Sequence, residues 1–200
     1  RDSAFPSIRW VLSSGAKWPQ QAKAQLSRVF PGSRFAEFYG ASETSFITVA
    51  KADEDVPDTS VGRAFSGVLV TIRDRTGRRM PAGRAGFVFV ESPFLFMNYA
   101  CGETADLFYQ DDAVSVGDIG YLDPDGFLHL VGRAARKIVT SAKNVYPEEI
   151  ERVLEGHPAI EAAAVLGVPD TRRGERLTGL LRLRPGVAVT SAALIAHARL

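Results

Sequence analysis

The sequence predicts an α/β opening built on a parallel β-α-β unit, followed by a β-rich stretch and then a second domain of α+β type. Three observations carry this. The first forty residues place an amphipathic stretch between two apolar runs, divided by Ser13-Ser14-Gly15 and Pro31-Gly32. Residues 60–130 carry short alternating runs punctuated by Thr76-Gly77, Pro81 and Asp125-Gly126. After Arg133 the pattern changes to a proline-started helix followed by two further apolar runs.

Taken in order, residues 8–12, within 7–14, read as a buried strand. Residues 19–30 read as a helix with Ala22, Leu26, Val29 and Phe30 apolar, and residues 34–38 as a second strand closed by Gly40. Ligands of parallel sheets sit at the carboxyl ends of strands, so the residues after Phe38 are the first place to look for a site. Residues 68–72 and 86–90 read as strands of a small β-rich subdomain. Asp123-Pro124-Asp125-Gly126 is a tight turn between Tyr121 and residues 127–131, making a hairpin that ends at Gly132-Arg133. Pro147 suits a first helical position, where its missing N–H costs nothing, and Glu148, Glu149 and Glu151 set negative charge at the positive helix end. Ile150, Val153 and Leu154 are expected along one buried face. Residues 162–168 and 177–183 read as strands, and 191–200 as another amphipathic helix. A strand entered almost at once, without a starting methionine, predicts a chain cut from something longer.

Composition narrows the function classes. With 46% apolar and 24% charged among 200 residues, the chain falls in the globular range. Twenty-four basic and 23 acidic side chains, spread throughout, give a net charge of +1 and no basic stripe for a phosphate backbone, so nucleic acid is not an expected partner. Cys101 is the only cysteine, which excludes an internal disulfide, and the three scattered histidines show no metal-ligand spacing. A reducing cytoplasm is the expected compartment. No apolar run approaches the roughly 20 residues a membrane-spanning helix needs, and the first residues form no secretory signal.

The segment most suited to chemistry is Glu37-Phe38-Tyr39-Gly40-Ala41-Ser42-Glu43-Thr44, read as a strand end running into a loop. A tyrosine face can stack on a purine, and Gly40 lets backbone approach a ligand. Ser42 can donate to a phosphate oxygen, and Glu43 is a hard oxygen ligand for magnesium. An ordinary polar turn is the plainer reading of the same residues.

Three later stations make the pattern specific: Val116-Gly117-Asp118, Gly132-Arg133 and Asn144-Val145-Tyr146-Pro147-Glu148-Glu149-Ile150-Glu151. In this order and spacing the chain resembles the adenylate-forming superfamily of acyl-CoA synthetases, aryl-CoA ligases, luciferases and peptide-synthetase adenylation domains. Val61-Gly62-Arg63, His157-Pro158 and Gly167-Val168-Pro169-Asp170 match at the flanks, so the resemblance covers nearly the whole chain. It implies that residues 1–132 end a large AMP-binding domain, with the β-rich subdomain at about 60–130. It also implies that residues 133–200 begin a smaller, mobile carboxyl-terminal domain, incomplete here.

The resemblance implies an AMP-forming acid–thiol ligase: ATP and a carboxylic acid, fatty or otherwise, give an acyl-adenylate, and coenzyme A accepts the acyl group. Gly15 and Ala16 correspond to the small-residue wall on one side of the adenine, with Glu37, Phe38 and Tyr39 on the other. Ser42 and Glu43 take the catalytic positions at the phosphates and Mg2+, and Asp118 accepts from both ribose hydroxyls. Arg133 reaches the ribose or phosphate, Ala135 stands at the pivot, Ser141 and Ala142 stand near the coenzyme A path, and Asn144 is a further cofactor-binding position. Plainer readings exist: a strand-to-helix turn at Gly15, a turn cap at Asp118, a surface arginine at Arg133.

Three departures bear on the thioester step. The family usually has aspartate or lysine where Ala135 stands, a Gly-Gly or Lys-Gly turn at Ser141-Ala142, and threonine at Val116. The family's phosphate loop lies upstream of Arg1, and its adenylation lysine lies near the end of the smaller domain. All five lysines here occur at or before Lys143. The 200 residues by themselves are therefore expected to be inactive. The form of residues 36–45 favours fatty acyl-CoA ligases. Two other readings are an adenylation module that loads a carrier protein and a degenerate nucleotide-binding member without turnover.

Overall fold

The structure is a computed structural model and describes residues 5–15, 20–51, 53–99, 107–141 and 143–198. Ala16, Pro19, Cys101, Ala142 and Leu200 lie outside the described residues. The chain divides into two compact units, Arg1–Leu130 and Val131–Leu200. No described helix is long and apolar enough to cross a membrane.

The first unit holds β1 (Trp10–Ser13), α1 (Gln20–Val29), β2 (Arg34–Ala41), β3 (Ser45–Lys51), β4 (Ser60–Ala64), β5 (Leu69–Arg73), β6 (Gly86–Glu91), β7 (Phe108–Gln110), β8 (Ala113–Ser115), β9 (Asp118–Leu122) and β10 (Phe127–Arg133), whose last residues belong to the second unit. β1 and β2 pair in parallel across α1, giving the expected β-α-β opening. Among the described residues, pairing from β2 onward is antiparallel, and one ten-stranded sheet runs β1-β2-β3-β4-β10-β9-β6-β8-β7, with β5 on β6. The β-rich stretch is thus continuous with the opening strands through β3 and β4. Its core centres on Ile47, Val70, Val88, Val90 and Leu128, all nearly inaccessible.

Two expectations are corrected here. The first strand is not buried: Ile8, Trp10 and Leu12 are all exposed, because β1 is the sheet edge with β2 as its one paired neighbour among the described strands. The segment after Phe38 is not a loop either. β2 continues to Ala41 and turns through Ser42, Glu43 and Thr44 into β3, whose Phe46-Ile47-Thr48-Val49 is an aromatic and β-branched run.

The Asp123–Gly126 turn joins β9 and β10 as expected, with Gly126 at φ 82°. Asp123 Oδ1 accepts from the N–H groups of Asp125 (3.0 Å) and Phe127 (2.9 Å), and Oδ2 pairs with His129 Nε2 at 3.0 Å. The His129 ring stacks on Tyr121 at 4.7 Å, and its Nδ1 lies 3.0 Å from the Thr59 hydroxyl. Burial opposes ionisation of Asp123, but the His129 bond, the two N–H bonds and the His129 charge outweigh it and hold the carboxyl below its ordinary value. A depressed folded value means stability that is present above the unfolded value of about 3.9 and lost as pH falls through the folded one. Asp123→Asn should therefore lower the urea midpoint most near neutrality, with the deficit shrinking in strong acid. A deficit independent of pH would show that the charge contributes nothing.

The second unit holds a 3-10 turn (Ala134–Arg136), β11 (Ile138–Thr140), β12 (Lys143–Val145), α2 (Pro147–Glu155), β13 (Ile160–Asp170), β14 (Gly174–Leu183) and α3 (Ser191–His197). Its sheet runs β12-β11-β14-β13. α2 begins at Pro147 as the sequence predicts, and α3 at the N-cap Thr190, whose hydroxyl accepts from Ala193 N–H at 3.2 Å. Ile138, Leu154, Ile160, Val165 and Leu194 form its core, with Ile150 against it. Val153 is exposed instead, a correction: residues 150 and 154 are stacked one turn apart, whereas 153 lies to the side of that stripe.

Candidate functional site

The β2 strand alternates its side chains, so Glu37 and Tyr39 share one face and Phe38 the other. Tyr39 packs on the core cluster around Ile47 and Leu128, while Phe38 packs edge-on against Phe46 at 4.8 Å. The two rings therefore lie on opposite faces of β2. Glu37 is ion-paired with Lys23 of α1, a partner that sequence reasoning did not supply.

Gly40 has a packing reason that the sequence does not show. A Cβ there would stand 1.9 Å from the Ser45 carbonyl oxygen, so its side-chain absence lets β3 approach β2. Gly15 is exposed at φ 90°, with nothing within 4 Å of a built Cβ; its backbone conformation, not a close neighbour, calls for glycine.

In the hairpin turn Ser42 is exposed and Glu43 half-buried. Thr44 is fully buried; its N–H donates to Ala41 C=O and its hydroxyl accepts from Ala41 N–H, both at 3.2 Å. Ser45 adopts φ 57°, a left-handed conformation that closes the turn. Glu43 Oε1 accepts from the Tyr99 hydroxyl at 2.5 Å, and its carbonyl accepts from Phe96 N–H at 2.9 Å. Sequence reasoning missed Tyr99, because the aromatic run from Phe94 to Tyr99 has neither helical nor strand periodicity.

Asp118 opens β9 after Gly117 (φ 82°), whose N–H donates to Ser115 Oγ at 3.2 Å. It is 5% exposed, and the Tyr39 hydroxyl donates to its Oδ2 at 2.5 Å. A carboxylate taken out of water needs such partners. The bond joins two stations 79 residues apart in sequence. An ionised carboxylate offers about four acceptor directions, so it can serve a protein hydroxyl and a ligand together.

The remaining candidates lie in the second unit. Arg133 ends β10 and is exposed, as is Ala135 in the 3-10 turn. That turn is fastened to α2 by Arg136, which reaches Glu148 at 2.9 Å and Glu151 at 2.8 Å. Gly132 sits so close to α2 that a Cβ would lie 2.5 Å from Glu148 Oε2. Ser141 has φ 49° and donates its N–H to Arg173 C=O at 2.9 Å. A left-handed serine costs on the order of 1 kcal/mol, which is the physical reason glycine suits this turn. Asn144 is exposed on β12, opposite Val139.

Among the described residues no group of three or more His, Cys, Asp or Glu could hold a metal by itself. A lone oriented carboxylate such as Glu43 instead suits magnesium, which takes one or two carboxylates and completes its shell with phosphate oxygens and water.

Comparison with known proteins meets this geometry. The AMP-binding enzyme family matches residues 1–100, and the AMP-binding enzyme C-terminal domain matches residues 149–200. The chain is 41% identical over 166 residues to the uncharacterized acyl-CoA ligase YhfT of Bacillus subtilis, covering 82% of this chain and 34% of that protein. It is 36% identical over 189 residues to the fatty acid–[acyl-carrier-protein] ligase ScoC of Streptomyces coeruleorubidus, covering 91% and 36%. The solved amide bond synthetase McbA of Marinactinospora thermotolerans superposes with a TM-score of 0.83 at 34% identity, covering 96% of this chain and 40% of that one. The chain thus spans about a third of the length of the curated relatives it matches. With a family match over each end of the chain, and the tyrosine and aspartate stations bonded to one another, the chain belongs to the adenylate-forming AMP-binding enzymes.

Proposed function

We propose that the protein activates a carboxylic acid, in the first instance a fatty acid, with ATP and transfers the acyl group from the adenylate to coenzyme A. The observation that carries this reading is the Tyr39–Asp118 bond on the strand that leads into the Ser42-Glu43 turn. Tyr39 offers a ring face to adenine, Asp118 accepts from the ribose hydroxyls, and Ser42 donates to phosphate oxygen. Glu43 would hold Mg2+, which when bound neutralises charge on the phosphates.

The substrate carboxylate attacks the α-phosphorus in line, and the bond to the pyrophosphate oxygen breaks. The thiol sulfur then adds at the acyl carbon of the mixed anhydride, AMP leaves, and the thiol proton passes to solvent. The protein supplies alignment and charge complementarity throughout. Arg133 serves the nucleotide, Ser141 and Ala142 serve the thiol path with Asn144 a further cofactor-binding position, and Ala135 is the pivot between half-reactions. A cytoplasmic setting belongs to the same reading.

A second reading concerns the acceptor: ScoC is named for a carrier protein and McbA for an amide bond. The test is AMP release by the full-length protein with fatty acid and ATP when coenzyme A, a phosphopantetheinylated carrier or an amine is added. Release driven by coenzyme A supports the proposal, and release driven by the carrier or amine alone moves it to that acceptor. Nucleotide binding without release under any of them would leave a member without turnover.

Ala135→Pro tests the pivot. Proline fixes its own φ and disfavours the helical conformation of Ala134, so the Ala134–Arg136 turn must change. Thioester formation is expected to fall by up to roughly 100-fold, the scale of a misplaced reactant, with adenylate formation much less affected. Equal losses in both steps would remove Ala135 from that role.

A further inference from the structure

Glu43 is held at two points by one segment of chain. Phe96 N–H fixes its carbonyl at 2.9 Å, and the Tyr99 hydroxyl, 56 residues away in sequence, fixes Oε1 at 2.5 Å. The Phe96 and Tyr99 rings meet edge-on at 4.9 Å, so the two anchors are braced against each other. On its other side the turn is pinned by buried Thr44 and by Ser45 in its left-handed conformation. A glutamate at a half-exposed turn would otherwise turn freely about three side-chain bonds. Here the side chain is aimed.

We infer that Tyr99 is the positioning residue for Glu43 and sets its cation preference; the inference rests on the reading of Glu43 as the carboxylate that faces Mg2+. The Tyr99 hydroxyl takes one acceptor direction of Oε1 and fixes the carboxylate plane, so Oε2 is the oxygen with both directions open and a single-oxygen contact is favoured over a bidentate one. Magnesium, small and strictly octahedral, is content with single carboxylate oxygens, whereas calcium takes six to eight oxygens and accepts bidentate carboxylates readily. Removing the hydroxyl frees Oε1, loosens the carboxylate and opens the bidentate mode. The result is weaker response to magnesium and a narrower preference for magnesium over calcium.

The experiment measures binding of a fluorescent ATP analogue by the protein as MgCl2 or CaCl2 is raised, together with AMP binding without metal, for the parent, Tyr99→Phe and Glu43→Gln. Tyr99→Phe is expected to raise the Mg2+ midpoint by roughly tenfold, the equivalent of one charge-assisted hydrogen bond, and to bring the Ca2+ midpoint closer to it. Metal-free AMP binding should stay at the parent value, which a merely structural role would not allow. A parent-like Mg2+ midpoint in Tyr99→Phe with a shifted one in Glu43→Gln overturns the role of Tyr99 and leaves Glu43 standing. A parent-like midpoint in Glu43→Gln overturns the reading of Glu43 itself, and the inference with it. Should Tyr99→Phe fail to fold, 3-fluorotyrosine at position 99 serves in its place. Its fluorine resonance is expected to move on addition of Mg2+ with ATP and on Glu43→Gln, and an unmoved resonance in both overturns the inference.

Discussion

Asp118→Ala is expected to cost the protein nearly all useful ATP affinity. On the proposed reading its carboxylate accepts from two ribose hydroxyls, and charge-assisted bonds are worth about 1.5–3 kcal/mol each. Losing both corresponds to a weakening of roughly 100-fold to 10,000-fold. The same change takes the Asp118 acceptor from the Tyr39 hydroxyl, so the ring offered to adenine loses one of its anchors. Calorimetric titration with ATP and with AMP checks this, beside a circular dichroism melt to confirm that the sheet still forms. Both nucleotides should weaken together, because the ribose is common to them. An unchanged affinity for either would reject the ribose role.

Gly40→Ala is the second change expected to act strongly, for a reason that lies in packing. The new methyl carbon would stand 1.9 Å from the Ser45 carbonyl oxygen and 3.0 Å from its carbon, both backbone atoms that cannot rotate away. The β2–β3 hairpin must open locally, at the upper end of the about 1–3 kcal/mol typical of overpacking. Gly40 pairs with Phe46 beside a register shift, where the strands already depart from regular pairing. Opening there displaces Tyr39 on one side and the Glu43 turn on the other, so nucleotide binding and stability should fall together. Thermal unfolding and AMP titration of the same preparation provide the check; a variant as stable as the parent with full AMP affinity would mean that the hairpin yields at no cost.

What was legible in the sequence was local chemistry. Proline at 147 and the glutamates behind it announced α2, the Asp-Pro-Asp-Gly turn announced the β9–β10 hairpin, and the order of the motif stations announced the family. What was not legible was pairing at a distance. Nothing near Tyr39 says that its hydroxyl ends on Asp118, and nothing near Glu43 points to Tyr99. At Gly40 the close approach of β3 cannot be read from the local sequence. The first apolar run looked buried because hydrophobicity reports a preference for cover, whereas edge position in the sheet decides exposure. Ser141 shows the reverse case: the substitution is plain in the sequence, and only φ reveals that the backbone keeps a glycine-like conformation beneath it.

The most direct test of the central claim is exchange of labelled pyrophosphate into ATP by the full-length protein, measured with and without a panel of fatty and aromatic acids and with no acceptor thiol present. Adenylate formation is reversible before any thiol enters, so exchange reads the first half-reaction alone. Exchange that depends on the carboxylic acid and on Mg2+, and that is lost in Asp118→Ala, is the expected result. Tight ATP binding with no acid-dependent exchange across the panel would contradict it, and would leave a nucleotide-binding protein in place of an acid-activating enzyme.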